Sequence, residues 1–306
     1  MGMGKDLYDA FPESKAVFDK ADKVLGFSLS RFCFEGPLEE LTRTENCQPA
    51  ILVMSIAALE AFKSVTRYPL PVTRYVAGLS LGEYSALVAA GVLGFEDCLR
   101  LVSKRAQLME AVSKRYPGKM SAILGLEKNV IKDICSITGA EIANLNCPGQ
   151  IVISGGVESV EQTGKMALEK GAKRVIALEV SGAFHSSLML EAALEFKAFL
   201  GGFDGSTSLT IKLERSRRID FRAAEIPVVS NVTAKPEYRS LEIRENLIKQ
   251  IHSPVLWEDS VRFMIEQGLK KFYEIGPGSV LKGLIRKIDI NLEVRNIATA
   301  QDMYAS

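Results

Sequence analysis

Residues 75–84, YVAGLSLGEY, decide how this chain folds. The run before them, Pro71 to Ala77, favours a strand, and the run after them, Glu83 to Ala90, consists of good helix formers without proline. A strand, a Gly-x-Ser-x-Gly turn and a helix are typical of a nucleophile elbow. The glycines of the motif permit a sharp turn and close packing of helix against strand. We therefore predict that the turn exposes the Ser80 hydroxyl. A plain Gly/Ser turn between two core elements is the alternative.

An elbow also provides for a negative charge that develops beside its serine. The backbone N–H of Leu81 and the amino end of the following helix would face any oxyanion formed at Ser80. The sequence therefore predicts Leu81 as an oxyanion donor.

Outward from the elbow, strand-like and helix-like segments alternate along most of the chain. This alternation predicts an α/β fold with a mostly parallel sheet and helices on both faces. The predicted helices are 6–25, 48–62, 95–112, 188–200, 241–251, 259–267 and one after 276–278, and the predicted later strands are 226–232 and 271–275.

The middle of the chain, from Met120 to Val180, has a different order of elements. Strand-like and helical segments follow one another there as βαββαβ, at 121–125, 128–137, 140–144, 150–154, 159–170 and 173–180. That order is typical of a ferredoxin-like unit. We predict a small inserted subdomain at 119–187 and a discontinuous larger domain at 1–118 and 188–306. The alternative is that these segments simply extend the larger sheet.

Composition narrows the function. The chain has 306 residues, 47% of them hydrophobic and 25% charged, which is ordinary for a soluble globular protein. A net charge of +1 does not favour nucleic acid or an anionic membrane surface as a main partner. No uninterrupted apolar run reaches the roughly 18–20 residues of a membrane span. We therefore expect a cytoplasmic protein, with a mitochondrial or plastid protein after loss of a transit peptide as the alternative.

The cysteines do not indicate a disulfide framework or a metal site. There are five, an odd number, and they are scattered without a C-x-x-C pair: Cys33, Cys47, Cys98, Cys135 and Cys147. We read them as reduced thiols and predict no metal centre.

The chain has only two histidines that could act as a base for Ser80. His185 follows the small-residue turn 181–184 at the end of a predicted strand, where α/β folds place functional groups. His252 precedes Ser253-Pro254 and is more typical of a loop residue. No acidic residue stands out as a third member, so we predict a Ser80–His185 dyad whose histidine a backbone carbonyl can orient.

Arg105 lies on the apolar side of the predicted helix 95–112, near Leu101, Leu108 and Met109. A buried guanidinium needs an anion, and its planar fork fits a carboxylate with two hydrogen bonds. On local sequence alone, a solvated surface arginine beside Lys104 is the more common arrangement.

A series of segments, in order along nearly the whole chain, resembles the malonyl-CoA:acyl-carrier-protein transacylase family and the related acyltransferase domains of polyketide synthases. One such segment alone would be weak evidence for the family, whereas the whole set in this order is specific to it. The segments are 2–7 (GMGKDL), 48–50 (QPA), 78–87 (GLSLGEYSAL), 104–106 (KRA) with Met109, 144–150 (NLNCPGQ), 180–185 (VSGAFH) with 188–189 (LM), 227–232 (PVVSNV), 250–257 (QIHSPVLW) and 274–278 (EIGPG).

The resemblance implies an α/β-hydrolase-like large domain with a ferredoxin-like subdomain, and a ping-pong acyl transfer. Ser80 would attack the malonyl thioester of coenzyme A and carry the malonyl group as an ester. His185 would take the serine proton and later activate the phosphopantetheine thiol of acyl carrier protein. Both thioester and carrier protein are substrates, so no cofactor is implied, and the family resemblance implies a monomer.

The resemblance also assigns roles to residues that local sequence leaves open. Gln250 matches the position whose backbone carbonyl orients the histidine, and Arg105 matches the arginine that pairs with the free malonyl carboxylate. A neutral acyl group would leave that guanidinium buried without its partner. Further residues match positions near the pocket: Gln48, Leu79, Asn146 and Asn231.

Three features depart from the family pattern. The family opens with a strand and a Gly-Gln-Gly-x-Gln loop that supplies a second oxyanion donor, whereas this sequence opens with Met1-Gly2-Met3-Gly4. We expect that strand and donor to be missing, through truncation, a misassigned start or impairment, at a cost of about 3–4 kcal/mol of transition-state stabilisation. Leu79 stands where many members carry histidine. Residues 205–220 (GSTSLTIKLERSRRID) look like an inserted exposed loop.

Other functions remain open at this point. A serine esterase or thioesterase would use the same dyad with water as acyl acceptor. A catalytically weak acyl-carrier-binding homologue is an alternative from another class. The sequence does not choose among malonyl, methylmalonyl and similar diacids; because the chain stands alone, we favour malonyl transfer for fatty-acid synthesis over polyketide synthesis.

Overall fold

Helices and strands alternate through the chain as a mixed α/β fold. The structure is a computed structural model that describes residues 2–66, 73–201 and 219–304. The helices are α1 (Lys5–Ala10), α2 (Pro12–Leu25), α3 (Leu29–Phe34), α4 (Leu38–Thr42), α5 (Thr44–Thr66), α6 (Leu81–Ala89), α7 (Phe95–Arg115), α8 (Lys128–Thr138), α9 (Val157–Glu169), α10 (Leu190–Gly201), α11 (Ser240–Gln250), α12 (Trp257–Glu266) and α13 (Val280–Ile288). The strands are β1 (Val76–Ala77), β2 (Gly118–Leu124), β3 (Glu141–Cys147), β4 (Gln150–Gly156), β5 (Arg174–Ala177), β6 (Val228–Val229), β7 (Pro236–Glu237), β8 (Lys271–Ile275) and β9 (Glu293–Ile297).

The helix predicted at 6–25 is two helices, α1 and α2. They meet at Phe11, which has extended backbone angles (φ −128°, ψ 119°). Pro12 follows it, and the proline ring disfavours helical angles in the preceding residue. A proline at the first position of α2 is well tolerated, so the chain restarts as a helix at once.

The middle of the chain forms a sheet of its own, which we call the small sheet (β2, β3, β4 and β5). The strand order is β3-β4-β2-β5 and every pair is antiparallel. Helices α8 and α9 separate the strands along the chain in the predicted βαββαβ order. They cover one face, where Ile123, Ile131, Ile153 and Val160 are buried together. The alternative that these strands extend the larger sheet is wrong, because they hydrogen-bond only to one another as a sheet within the described residues.

The strands outside the small sheet are short and are divided between two sheets. β1 pairs in parallel with β6, β6 pairs antiparallel with β7, and β8 and β9 form a separate parallel pair. The parallel pairs agree with the predicted parallel sheet, but β7 and β9 were not predicted. β7 is the dipeptide Pro236-Glu237, which carries no strand-like pattern, and β1, β6 and β7 each have two residues.

Helix α5 is the centre of the larger core and packs against α2, α6 and α7. Of the described helices, it alone is long and apolar enough to cross a membrane, although it contains no uninterrupted apolar run of that length. In the fold, 67% of its most apolar window is buried. The core helix of a globular protein passes the same test of length and composition.

The small sheet is joined to the larger part near the amino end of α12. Val255 bonds to its edge strand β3, donating to the Ala143 carbonyl (2.8 Å) and accepting from the Leu145 N–H (2.9 Å). The next residue, Leu256, donates to the carbonyl of Asn231 (2.8 Å), just beyond β6. These bonds set the small sheet beside the carboxyl end of β6. Of the predicted insertion 205–220, residues 205–218 lie outside the described residues.

Candidate active site

The elbow turns in three residues between β1 and α6. Ser80 has φ 51° and ψ −107°, a conformation that costs energy in any residue with a side chain. Gly78 makes the turn possible, because a Cβ there would lie 2.0 Å from the backbone carbon of Gly82. A Cβ on Gly82 itself would meet nothing within 4 Å. Of the two glycines that the sequence favours for close packing, only Gly78 therefore needs to lack a side chain.

Asn231 holds the elbow in this shape. Its Oδ1 accepts the Ser80 backbone N–H (2.6 Å), and its Nδ2 donates to the carbonyl of Gly78 (2.7 Å). Asn231 is 1% exposed and follows β6, the strand that pairs with β1. A residue predicted near the pocket thus bridges both sides of the turn and stabilises its strained backbone.

Ser80 and His185 form the predicted pair. The Oγ of Ser80 lies 2.8 Å from Nε2 of His185, and Nδ1 of His185 lies 2.8 Å from the main-chain carbonyl of Gln250. A carbonyl can only accept, so Nδ1 carries the hydrogen and Nε2 presents its lone pair to the serine hydroxyl. His252 lies outside this cluster, and its backbone N–H donates to the carbonyl of Lys249.

The neighbours of His185 keep its ring neutral. Burial and, after it, the charge of Arg105 lower the pKa of His185 to about 4, against the opposing effect of the bond to Gln250. The ring is placed by a turn at positive φ (59°), and the preceding Phe184 packs against Met120, Ala122 and other residues on the face of the small sheet opposite its helices. Phe184 also packs against the larger core, so both parts of the fold contact the segment that carries His185.

Arg105 is buried, with 1% of its surface exposed, so its interpretation as a solvated surface arginine is wrong. Its guanidinium donates to three neutral oxygens: Oε1 of Gln48 (2.5 Å), Oγ of Ser80 (3.1 Å) and Oε1 of Gln250 (3.2 Å). The Tyr84 ring centroid lies 5.3 Å from its central carbon. Burial lowers the pKa of Arg105, yet a guanidinium stays charged in proteins. A cation bonded to uncharged acceptors beside a serine is suited to bind an anion.

Glu83 is a buried member of the cluster that the sequence did not single out. It is 2% exposed, and its Oε2 accepts from Nε2 of Gln250 (2.6 Å) and from the N–H of Asn231 (3.4 Å). Burial raises its pKa to about 8, and the nearby carboxyl of Glu237 adds to the shift. The Glu83 carboxyl is therefore mostly uncharged at neutral pH. In sequence it is an ordinary acid in the first turn of a helix.

The remaining predicted site residues differ in how closely they join the cluster. Gln48 holds Arg105, and Leu81 is the first residue of α6, where a backbone N–H has no partner within the helix. Leu79 packs in the core beside β1 and α12. Asn146 is buried in β3, and its Oδ1 has no hydrogen-bond partner among the described residues, so no bond brings it into the cluster. In the part of the chain that the structure describes, no group of three or more histidine, cysteine, aspartate or glutamate residues could hold a metal ion.

Together these residues place a nucleophile, a neutral base and a buried cation around one point. Ser80 is partly exposed, whereas His185 and Arg105 are buried behind it. Such a site can form an ester on Ser80 and bind an acyl group that carries a negative charge at its far end.

Comparison with known proteins gives one family. The acyl transferase domain model matches residues 1–299. A malonyl CoA-acyl carrier protein transacylase from Bacillus subtilis is 45% identical over 298 residues, 96% of this chain and 88% of the relative. A protein of that name from Staphylococcus aureus is 38% identical over 308 residues, 99% of this chain and 93% of the relative.

Solved structures agree with the sequence comparison. An acyl-carrier-protein-S-malonyltransferase from Bartonella henselae superposes with a TM-score of 0.90 at 35% identity, over 99% of this chain and 93% of that one. A malonyl-transacylase in complex with its type II PKS acyl-carrier protein superposes with a TM-score of 0.89 at 36% identity, with the same coverage.

Proposed function

Since the chain belongs to the acyl transferase domain family, we propose that it moves a malonyl group from coenzyme A to acyl carrier protein. The observation that carries this proposal is the contact of Arg105 with the Ser80 hydroxyl, 3.1 Å away, in a cluster that also holds His185. The nucleophile, the base and the anion-binding arginine are then close enough to contact one short diacid at the same time.

In the first half-reaction, Ser80 Oγ attacks the thioester carbonyl while His185 Nε2 takes its proton. The oxyanion that forms faces the Leu81 N–H at the amino end of α6. The carbon–sulfur bond then breaks, His185 returns the proton to the coenzyme A sulfur, and the malonyl group remains as a Ser80 ester.

In the second half-reaction, His185 takes the proton of the phosphopantetheine thiol of acyl carrier protein. The thiolate attacks the ester carbonyl, the bond to Ser80 Oγ breaks, and the serine recovers its proton from His185. The Gln250 carbonyl accepts from Nδ1 of His185 in both half-reactions, so Nε2 of the same ring serves as the base in both steps.

Arg105 accounts for the choice of a malonyl group. Its fork would bind the free carboxylate in place of one of its present neutral acceptors, and this charge-assisted pair has no equivalent for an acetyl group. Gln48 and the Tyr84 ring keep the guanidinium in position beside Ser80.

The finer description of fold and setting belongs to the same proposal. It comprises an α/β-hydrolase-like domain of residues 1–118 and 188–306, a ferredoxin-like subdomain of residues 119–187 and a monomer. The antiparallel order β3-β4-β2-β5 supports the subdomain. The proposal also comprises a cytoplasmic reaction that needs no cofactor besides its two substrates and supplies fatty-acid synthesis. The relatives' names support the two substrates, malonyl-CoA and acyl carrier protein.

An intact-mass assay tests the function. The purified chain is mixed with malonyl-CoA and then with phosphopantetheinylated carrier protein. We expect one malonyl adduct that moves to the carrier. Ser80→Ala should abolish it. Ser85→Ala should keep it, because Ser85 lies further along α6 and its Oγ has no hydrogen-bond partner among the described residues. Release of free malonate in place of transfer would indicate a thioesterase, and carrier binding without an adduct would indicate a binding protein.

A further inference from the structure

Gln250 connects the base to the buried cation. Its main-chain carbonyl orients His185, and its side-chain Oε1 accepts from Arg105. Its side-chain Nε2 donates to the Ser80 carbonyl (3.0 Å) and to Glu83 Oε2 (2.6 Å). One residue therefore touches both halves of the site, and its side chain is fully buried.

The side-chain amide of Gln250 has only one useful orientation. A flip would aim its NH₂ group at the Arg105 guanidinium, which has no acceptor. The flip would also place its oxygen against the Ser80 carbonyl, which can only accept, and would remove the NH₂ group from Glu83 Oε2. Since Gln250, Glu83 and Arg105 are all buried, each of the lost bonds would leave a buried polar group without a partner.

Glu83 contributes the shorter of the two bonds that hold the NH₂ group, and its own position is fixed. Its Oε2 also accepts the Asn231 N–H, and its backbone N–H donates to the Ser80 carbonyl (3.1 Å). The carboxyl is therefore held by the elbow on one side and by the residue after β6 on the other.

We propose that Glu83 is a positioning residue that sets the amide orientation of Gln250 and, through it, aims Arg105 at the substrate carboxylate. This inference rests on the proposed malonyl transfer and adds a specificity-determining residue to it. Among the described residues Glu83 makes no hydrogen bond to the serine hydroxyl or to Arg105. The bond from Gln250 Nε2 connects it to Arg105, and the bond from the Asn231 N–H connects it to the elbow.

The experiment compares kcat/KM for Ser80 acylation by malonyl-CoA and by acetyl-CoA, followed by intact mass. Glu83→Leu removes the acceptor and should lower the malonyl-to-acetyl ratio about 10-fold, since a misaimed Arg105 affects only the charged substrate. Glu83→Gln keeps an acceptor oxygen and should stay within about threefold of the unsubstituted chain. Thermal unfolding of each variant establishes that it is folded.

A double-mutant cycle tests the route through Gln250. Gln250→Ala keeps the carbonyl that orients His185 but removes the amide, and should also lower the ratio about 10-fold. Adding Glu83→Leu to it should lower the ratio no further. If Glu83→Leu does not fold, Glu83→Ala removes the same acceptor without adding bulk.

Three further outcomes overturn the inference. Additive effects in the cycle, or a loss of thermal stability with an unchanged ratio, would reduce Glu83 to a structural residue while leaving the malonyl transfer intact. A folded, unsubstituted chain that forms no malonyl adduct would overturn the proposed function and this inference with it.

Discussion

The small sheet and the elbow are built in opposite ways. Strands β2, β3 and β4 of the small sheet have seven residues each, and their apolar residues alternate between two buried faces. The elbow follows a strand of two residues, and its serine has a positive φ. Pairing along long strands, with two register shifts between β3 and β4, stabilises the small sheet, whereas a few specific contacts hold the elbow.

The difference separates stability from activity. In the small sheet, many similar contacts share the stabilising free energy, so removing one changes the free energy of unfolding and little else. At the elbow, each contact positions a reacting atom, so a shift of about 1 Å can lower the rate about 100-fold.

Gly78→Ala should break the elbow and has the largest expected effect. Its Cβ would meet the backbone of Gly82 at 2.0 Å, so the turn must shift and carry Ser80 and the Leu81 N–H with it. We expect acylation to fall about 1,000-fold or more, combining misplacement with the loss of an oxyanion donor. Stopped-flow or quenched acylation with malonyl-CoA measures this.

The matched control lies in the same motif. Gly82→Ala adds a Cβ with nothing within 4 Å, inside a helix where alanine is favourable. It should keep acylation within about threefold and leave the melting temperature unchanged or raised. Equal damage from the two substitutions would contradict the close approach at Gly78.

Arg105→Ala comes second and tests the part of the site that binds charge. We expect the preference for malonyl-CoA over acetyl-CoA to fall about 100-fold, because a hydrogen-bonded ion pair with the substrate is lost. Arg105→Lys is the control: a lysine keeps the charge but cannot make the forked contact, so the loss should be partial. A preference that survives Arg105→Ala would place the carboxylate elsewhere.

A substitution in the core of the small sheet should have the opposite result, a loss of stability without a loss of rate. Ile153 is fully buried in β4, and Ile153→Val removes one methyl group from the core beneath α8 and α9. We expect a loss of about 1 kcal/mol in the free energy of unfolding, measured by urea denaturation. The kcat/KM of the folded protein should not change. A lower rate constant would mean that packing in this sheet is coupled to His185 through Phe184.

The sequence predicts the features that depend on neighbouring residues, and it does not predict the contacts between distant segments. The elbow and the βαββαβ order were predictable because each depends on neighbours in sequence. Arg105 was not, on local sequence: two of its acceptors, Gln48 and Gln250, are 57 and 145 positions away. The resemblance to a family supplied Arg105 and the Gln250 carbonyl.

The contacts that sequence reasoning missed all depend on distant segments meeting. Glu83 becomes a buried acid only because distant segments pack around it; that burial raises its pKa, and the bonds from Gln250 and Asn231 oppose the shift. Asn231 reaches the elbow only because β6 pairs with β1. No periodicity within a helix or strand reports such a meeting.

The pH dependence of acylation gives the smallest expected effect. It tests whether the elbow differs from the small sheet in depending on the charge state of a buried base, His185. With the pKa of His185 lowered to about 4, its ring stays neutral from pH 7 down to pH 5. The kcat/KM for acylation, which reports the free enzyme, should therefore change less than about twofold over that range. A histidine with the ordinary pKa of about 6.5 would lose about 25-fold. Ile153→Val should give the same flat profile, and circular dichroism at each pH checks the fold. A fall centred near pH 6.5 would mean that water reaches the ring, so that the elbow opens in solution more than its contacts indicate.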